Sequence, residues 1–164
     1  MNLKVHQPSG HDPMSLANFA IQELDRDEEC DRGYYVFDRD GHDGFDDAVR
    51  TIQTSKHGIG GRLFAITSIP CFEIWVLLHY RYSSAAYVAG GGRSACERVI
   101  RDIREHNPTY RKANQSIFND LAPFADQAIT HAIWLEQHNN TSGGRNPSTK
   151  IHHLVDYLAK LKNT

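Results

Sequence analysis

The chain has 164 residues, 40% hydrophobic and 23% charged, which suits one domain with an ordinary buried core. Its 18 Lys+Arg against 20 Asp+Glu give a net charge of −2, which excludes any global attraction to a polyanion. The longest apolar run, Ile74 to Leu78, is far too short to span a bilayer, and no signal-peptide pattern follows Met1.

Met1 to Val5 alternates weakly and predicts a first short strand. Asp12-Pro13 is a good helix start, with Asp as N-cap and Pro at the first helical position. Leu16, Phe19, Ala20, Ile21 and Leu24 follow at helical spacing, and a charged linker runs from Asp25 to Arg32. Tyr35 to Phe37 reads as a short buried strand. Phe45, Ala48, Val49 and Ile52 then recur at helical spacing. His57 to Arg62 is a glycine-rich turn, and Leu63 to Thr67 predicts a further strand. Strands alternating with helices argue for a parallel sheet with right-handed crossovers.

From Pro70, which can open a helix, through Tyr80 the chain is apolar on nearly every side, so this helix should be central and buried. Ala85 to Gly92 reads as a flexible loop. Ser94 and Glu97 fit a capping box for a helix that ends at His106-Asn107-Pro108. Ile117 to Leu121 predicts a short helical turn. Pro123 opens a longer helix with Ala125, Ala128, Ile129, Ala132, Ile133 and Leu135 on its apolar side. His138 to Arg145 reads as a polar loop. Asn146 to Thr149 leads into a last amphipathic helix carrying Ile151, Leu154, Val155, Leu158 and Leu161. The expected organisation is a single unit, α/β over residues 1–82 and helical over residues 83–164, with no clear linker between the halves.

Chemistry concentrates where the Tyr35–Phe37 strand ends, in Asp38-Arg39-Asp40-Gly41-His42-Asp43. At a strand's period of two, Asp38 and Asp40 project to the same side. Two close carboxylates repel unless one is protonated or a cation lies between them, and hard oxygen donors at a strand's carboxyl end suit Mg²⁺ or Mn²⁺. The plainer alternative is a polar strand exit with Asp38 capping a turn. His42 could ligate a metal or move a proton, against the plainer reading of an exposed loop histidine. Asp46 and Asp47 are accounted for by the dipole of the helix they open.

Glu73 and His79 are polar members of the buried segment and need partners. Being six apart, they face different ones. Cys30, Cys71 and Cys96 are odd in number and lack a C-x-x-C, so neither a disulfide framework nor a zinc knuckle is implied. A reduced, cytoplasmic setting is the simplest expectation. A Cys71–His79 nucleophilic pair would sit two helical turns apart, too far for a hydrogen bond. Arg98, Arg101 and Arg104 could form a stripe facing a phosphate backbone. Glu97, Asp102 and Glu105 interleave with them, and Glu97–Arg101–Glu105 spacing equally fits surface ion pairs.

Three blocks then carry a resemblance. Tyr35-Val-Phe-Asp38-Arg-Asp40-Gly-His42, Ser68-Ile-Pro-Cys-Phe-Glu73-Ile-Trp-Val-Leu-Leu-His79-Tyr80 and Asn146-Pro-Ser-Thr-Lys-Ile-His152 resemble the RloB family, in the family's order. The resemblance implies a Toprim-like fold and a place in prokaryotic phage defence, at restriction-modification loci or beside an ABC/AAA-type ATPase. It also implies a Mg²⁺ site for phosphodiester chemistry on DNA or RNA, with Asp38 and Asp40 matching the D-x-D pair of Toprim nucleases. Glu73 falls on a family position that would serve as an outer ligand or a structural anchor. One departure is that no residue matches the glutamate of the family's earlier strand, as though the chain began near the second strand. The expectation that follows is an open sheet edge, low solubility or self-association. The rival reading is a catalytically silent interaction subunit whose helical half docks the ATPase.

Overall fold

The computed structural model describes residues 3–6, 12–114 and 116–162. The elements run α1 (Pro13–Arg26), β1 (Gly33–Asp38), α2 (Phe45–Thr54), α3 (Lys56–Ile59), β2 (Leu63–Ile69), α4 (Glu73–Leu78), α5 (Ala95–Arg104), α6 (Ile117–Leu121), a 3₁₀ turn (Ala122–Phe124), α7 (Ala125–Ser142), β3 (Ser148–Thr149) and α8 (Ile151–Lys162). This is an α/β fold: a small three-stranded mixed sheet flanked by helices, with a helical C-terminal half.

Sheet order is β1-β2-β3. β1 and β2 pair in parallel from Gly33↔Leu63 to Asp38↔Ser68, as the βαβ pattern implies. β3 pairs antiparallel with β2 through Ser68↔Thr149 and Ile69↔Ser148. Two residues give too short a pattern for sequence reading, and β3 was expected only as a lead into the last helix. It brings the second half of the chain into the sheet of the first, and a hydrogen bond between the Ser68 and Thr149 hydroxyls (2.9 Å) fastens it. Both ends of this pairing carry cis X-Pro bonds, at Ile69–Pro70 and Asn146–Pro147.

The period-two alternation of β1 and β2 divides the interior into two cores. Tyr35, Phe37, Leu63 and Ala65 pack against α1 and α2 through Ala17, Leu24, Ala48 and Ile52. Tyr34, Phe64 and Ile66 face the larger core formed by α4, α5, α7 and α8. All six residues of α4 are buried, so the expected central apolar helix is there, but it runs only Glu73–Leu78, and Pro70 lies before it rather than opening it. Near-complete burial of a Leu or Ile side chain stabilises by about 1.5–3 kcal/mol, so α4 anchors the larger core.

Helix boundaries follow local chemistry. Asp12 caps α1 by accepting from the Ser15 N–H, with Pro13 in the first turn. Ser94 and Glu97 form the expected capping box of α5. Gly143, with φ of 72°, ends α7 in the left-handed conformation that glycine tolerates without strain.

Several expectations need correction. Leu3 to Val5 form no strand, while Met1 and Asn2 lie outside the described residues. The turn after α2 contains a helical turn, α3, capped by the Ser55 hydroxyl. The segment read as a loop from His138 continues α7 to Ser142, because polar residues carry no helix-breaking signal until Gly143. Ile133, placed on the apolar face of α7, is 41% exposed. The loop from Ala85 to Gly92 is anchored at Tyr87, whose hydroxyl donates to Asp102 Oδ2 at 2.7 Å. The Asn146 side chain brackets the backbone of Tyr87, its Oδ1 accepting from the Tyr87 N–H and its Nδ2 donating to the Tyr87 carbonyl.

Candidate metal centre at the strand ends

β1 delivers Asp38 to the carboxyl edge of the sheet, beside the β2–α4 connection. Asp38 Oδ2 accepts a hydrogen bond from the Phe72 N–H at 3.1 Å, which fixes the carboxylate against the start of α4. Burial pushes the Asp38 carboxyl above its ordinary range, the Phe72 N–H and Lys112 pull it back, and Asp40 adds to the rise.

Asp40 is not placed by a continued strand. The backbone keeps two more rungs, Arg39 N–H to Ser68 O and Asp40 N–H to Pro70 O, and then turns. Asp40 has φ of 25° and Gly41 φ of 77°, so the period-two argument stops at Asp38. Asp40 is exposed, within electrostatic reach of both Asp38 and Glu73.

Glu73 opens α4 and is 4% exposed. Burial raises its carboxyl above the usual value, Lys112 opposes that, and Asp38 and Asp40 reinforce it. Lys112 Nζ lies 3.7 Å from Glu73 Oε1. Asp38, Asp40, Glu73 and Lys112 therefore form one electrostatic unit, assembled from β1, the following turn, α4 and the segment after α5. The three carboxylates do not present oxygens within 4.8 Å of one another, so they are a set of donors rather than a closed cage.

Cys71 and Cys96 are joined in a disulfide with a Cα–Cα distance of 5.8 Å. This overturns the expectation that the cysteines imply no bridge; folding brings together two residues that are 25 apart in the chain. Cys96 Sγ also lies 3.2 Å from Glu73 Oε2. A bridged sulfur has no proton to donate to that carboxylate, whereas a reduced thiol would have one. The ligand atoms of Cys71, Glu73 and Cys96 lie within 4.8 Å of one another, but a disulfide offers no thiolate to a metal.

The remaining candidates fall elsewhere. His42 is an exposed loop residue within electrostatic reach of Asp38. His79 is buried with Nδ1 2.9 Å from the Trp75 carbonyl, and burial pushes its pKa down. As expected, it serves a different environment from Glu73. Arg98 donates to the Gly90 carbonyl, Arg101 to Asp102 and Arg104 to the Tyr110 carbonyl, at 2.7, 3.1 and 3.1 Å. The interleaved Glu97–Arg101–Glu105 ion pairs do not form; Glu97 is spent on the cap and Arg101 turns to Asp102. Arg93, Arg101 and Arg104 nevertheless line one shallow groove with Glu97 and Ile100.

Residues 1–158 match the family model of RloB-like protein. The chain belongs to the RloB-like family. Neither the curated proteins nor the solved structures give a match. The family match spans all three blocks, and the fold gives their proximity a physical basis. In this RloB-like chain Asp38 pairs with Ser68, and Ser68 in turn pairs with Thr149, so one rung of the sheet crosses all three. Lys112 and Cys96 were the residues that sequence reading missed at this site. Neither lies in a block, and nothing in their local sequence marks them.

Proposed function

We propose that this protein is a Toprim-like, Mg²⁺- or Mn²⁺-dependent nuclease component of a prokaryotic phage-defence system that hydrolyses phosphodiester bonds in DNA or RNA. The observation that carries this reading is the half-buried Asp38 beside the buried Glu73 at the carboxyl end of a parallel strand pair, with Asp40 at the mouth. Asp38 and Glu73, held partly out of water and both raised in pKa, are a pair whose repulsion a divalent cation relieves. Asp38 and Asp40 would hold the cation, with Glu73 behind them, and the cation would stabilise negative charge on a phosphate. The Phe72 N–H fixes the orientation of Asp38. The Lys112 ammonium, half-exposed beside Glu73, adds a positive charge where an anionic backbone would approach. Phe72 itself is 41% exposed next to Asp38, and offers a flat apolar face on which a base can stack.

A second reading, a non-catalytic subunit docking an ABC/AAA-type ATPase in the cytoplasm, is favoured by a different observation. The helical half exposes Phe118, Phe124, Ile133 and Trp134. Calorimetry with Mg²⁺ and Mn²⁺ on the parent and on Asp38→Ala/Asp40→Ala, followed by cleavage assays on single- and double-stranded DNA and RNA, separates the two. Metal binding and cleavage that both vanish in the double variant support the nuclease. A parent that binds neither cation leaves the docking subunit.

A further inference from the structure

A second convergence of metal-binding side chains lies where α7 meets α8. Glu136 comes from α7, and His152 and His153 come from the first turn of α8. His152 Nε2 is 3.3 Å from Glu136 Oε2, and His153 Nε2 is 3.1 Å from the same oxygen. Consecutive helical residues project about 100° apart, so neighbouring histidines ordinarily diverge. Here their ring centroids are 4.0 Å apart and both Nε2 atoms point at one carboxylate.

The spacing matches a metal's coordination shell. Bonds of about 2.0–2.1 Å to nitrogen and oxygen at tetrahedral angles place ligand atoms about 3.3 Å from one another. The two observed nitrogen–oxygen separations, 3.3 and 3.1 Å, fall at that value, and all three ligand atoms lie within 4.8 Å of one another. The set is asymmetric in exposure: the His152 side chain is 4% exposed, that of Glu136 35% and that of His153 51%. One ligand forms the floor and two form the rim, which leaves a coordination position toward solvent.

His152 supplies an independent sign. Its Nδ1 is buried and has no hydrogen-bond partner of good geometry, and the Thr149 carbonyl is the backbone acceptor that acts on the ring. If Nε2 merely donated to Glu136, Nδ1 would be left as a dry, unused lone pair. A metal on Nε2 moves the ring proton to Nδ1, where the Thr149 carbonyl can accept it in the manner common for metal-bound histidine. Burial, then His153, keeps His152 toward its neutral form, the form with a lone pair to give. Burial pushes the Glu136 carboxyl up, but the two imidazoles outweigh it and keep it ionised.

We propose that Glu136, His152 and His153 form a Zn²⁺ site with three protein ligands and one open position, which ties α7 to α8. The site does not rest on the nuclease reading and shares no ligand with it. It is tested by titrating protein free of any histidine tag, with its disulfide intact, with Co²⁺ as a spectroscopic probe and then with Zn²⁺. Expected are the visible absorption bands of tetrahedral Co²⁺, their displacement by Zn²⁺, and Zn²⁺ affinity weakened about tenfold or more in His153→Ala and in Glu136→Gln. His153 is exposed, so the metal-free His153→Ala protein should melt as the parent does, and Asp38→Ala/Asp40→Ala should retain full Zn²⁺ affinity. Absence of binding by the parent, or unchanged affinity in both cluster variants, would overturn the site.

Discussion

The strand-end acids and the α7–α8 cluster are opposite solutions to holding polar groups inside a small fold. At the strand end, Asp38, Asp40 and Glu73 share one sign of charge and keep their oxygens apart, with Lys112 and the Phe72 N–H offsetting the repulsion. At the helix seam, one carboxylate and two imidazoles attract and close to hydrogen-bonding distance. An open set of hard oxygens suits a cation that keeps much of its water, as Mg²⁺ does. A tight set with two nitrogens suits a borderline metal bound directly. Cation selectivity of the two sites should therefore differ, although one sheet rung and one short strand link them.

The strongest way to break that contrast is the double exchange Asp38→Ala/Asp40→Ala. It should abolish Mg²⁺ and Mn²⁺ binding in calorimetry and leave Zn²⁺ binding at the helix seam unchanged; loss of both would mean that the sites are not separate. Next in size is the disulfide. Closing a loop between residues 25 apart constrains the unfolded chain by roughly 3 kcal/mol. Reduction, or Cys96→Ser, should lower the urea midpoint accordingly, and no shift would remove the bridge as a support of the strand-end site. Tyr87→Phe comes third. It deletes a buried hydrogen bond to the charged Asp102, worth about 1.5–3 kcal/mol, and should loosen the Ala85–Gly92 loop without changing cation binding at either proposed site. Hydrogen exchange of the loop amides gives the check.

The smallest effect concerns pH. Glu73 has its folded-state pKa raised above its unfolded value, so its stabilising contribution is complete below roughly pH 4 and is lost as pH climbs through the raised value. Compared with Glu73→Gln, the parent should lose stability between acid and neutral pH in denaturant titrations. Mg²⁺ should restore part of that loss at neutral pH if the cation binds among these carboxylates. Parallel pH profiles for parent and variant would show that Glu73 titrates as it does in the unfolded chain.

By itself the sequence determined most of the local structure, because caps, apolar spacing and glycine punctuation act over a few residues. Asp12-Pro13, the Ser94–Glu97 box, the buried run of α4 and the parallel pairing of β1 with β2 all came from such short-range rules. The same rules located Asp38 and Glu73, since acids bordering an apolar strand or helix stand out by burial cost alone. Only the tertiary structure decided the rest. It paired Cys71 with Cys96, brought Lys112 to Glu73, made a strand of Ser148-Thr149 and turned His152 and His153 onto Glu136. Each of those depends on elements distant in the chain meeting in space. Meeting is a property of the packed core, where two faces of one sheet choose their helices, and no local pattern of charge or hydropathy records it.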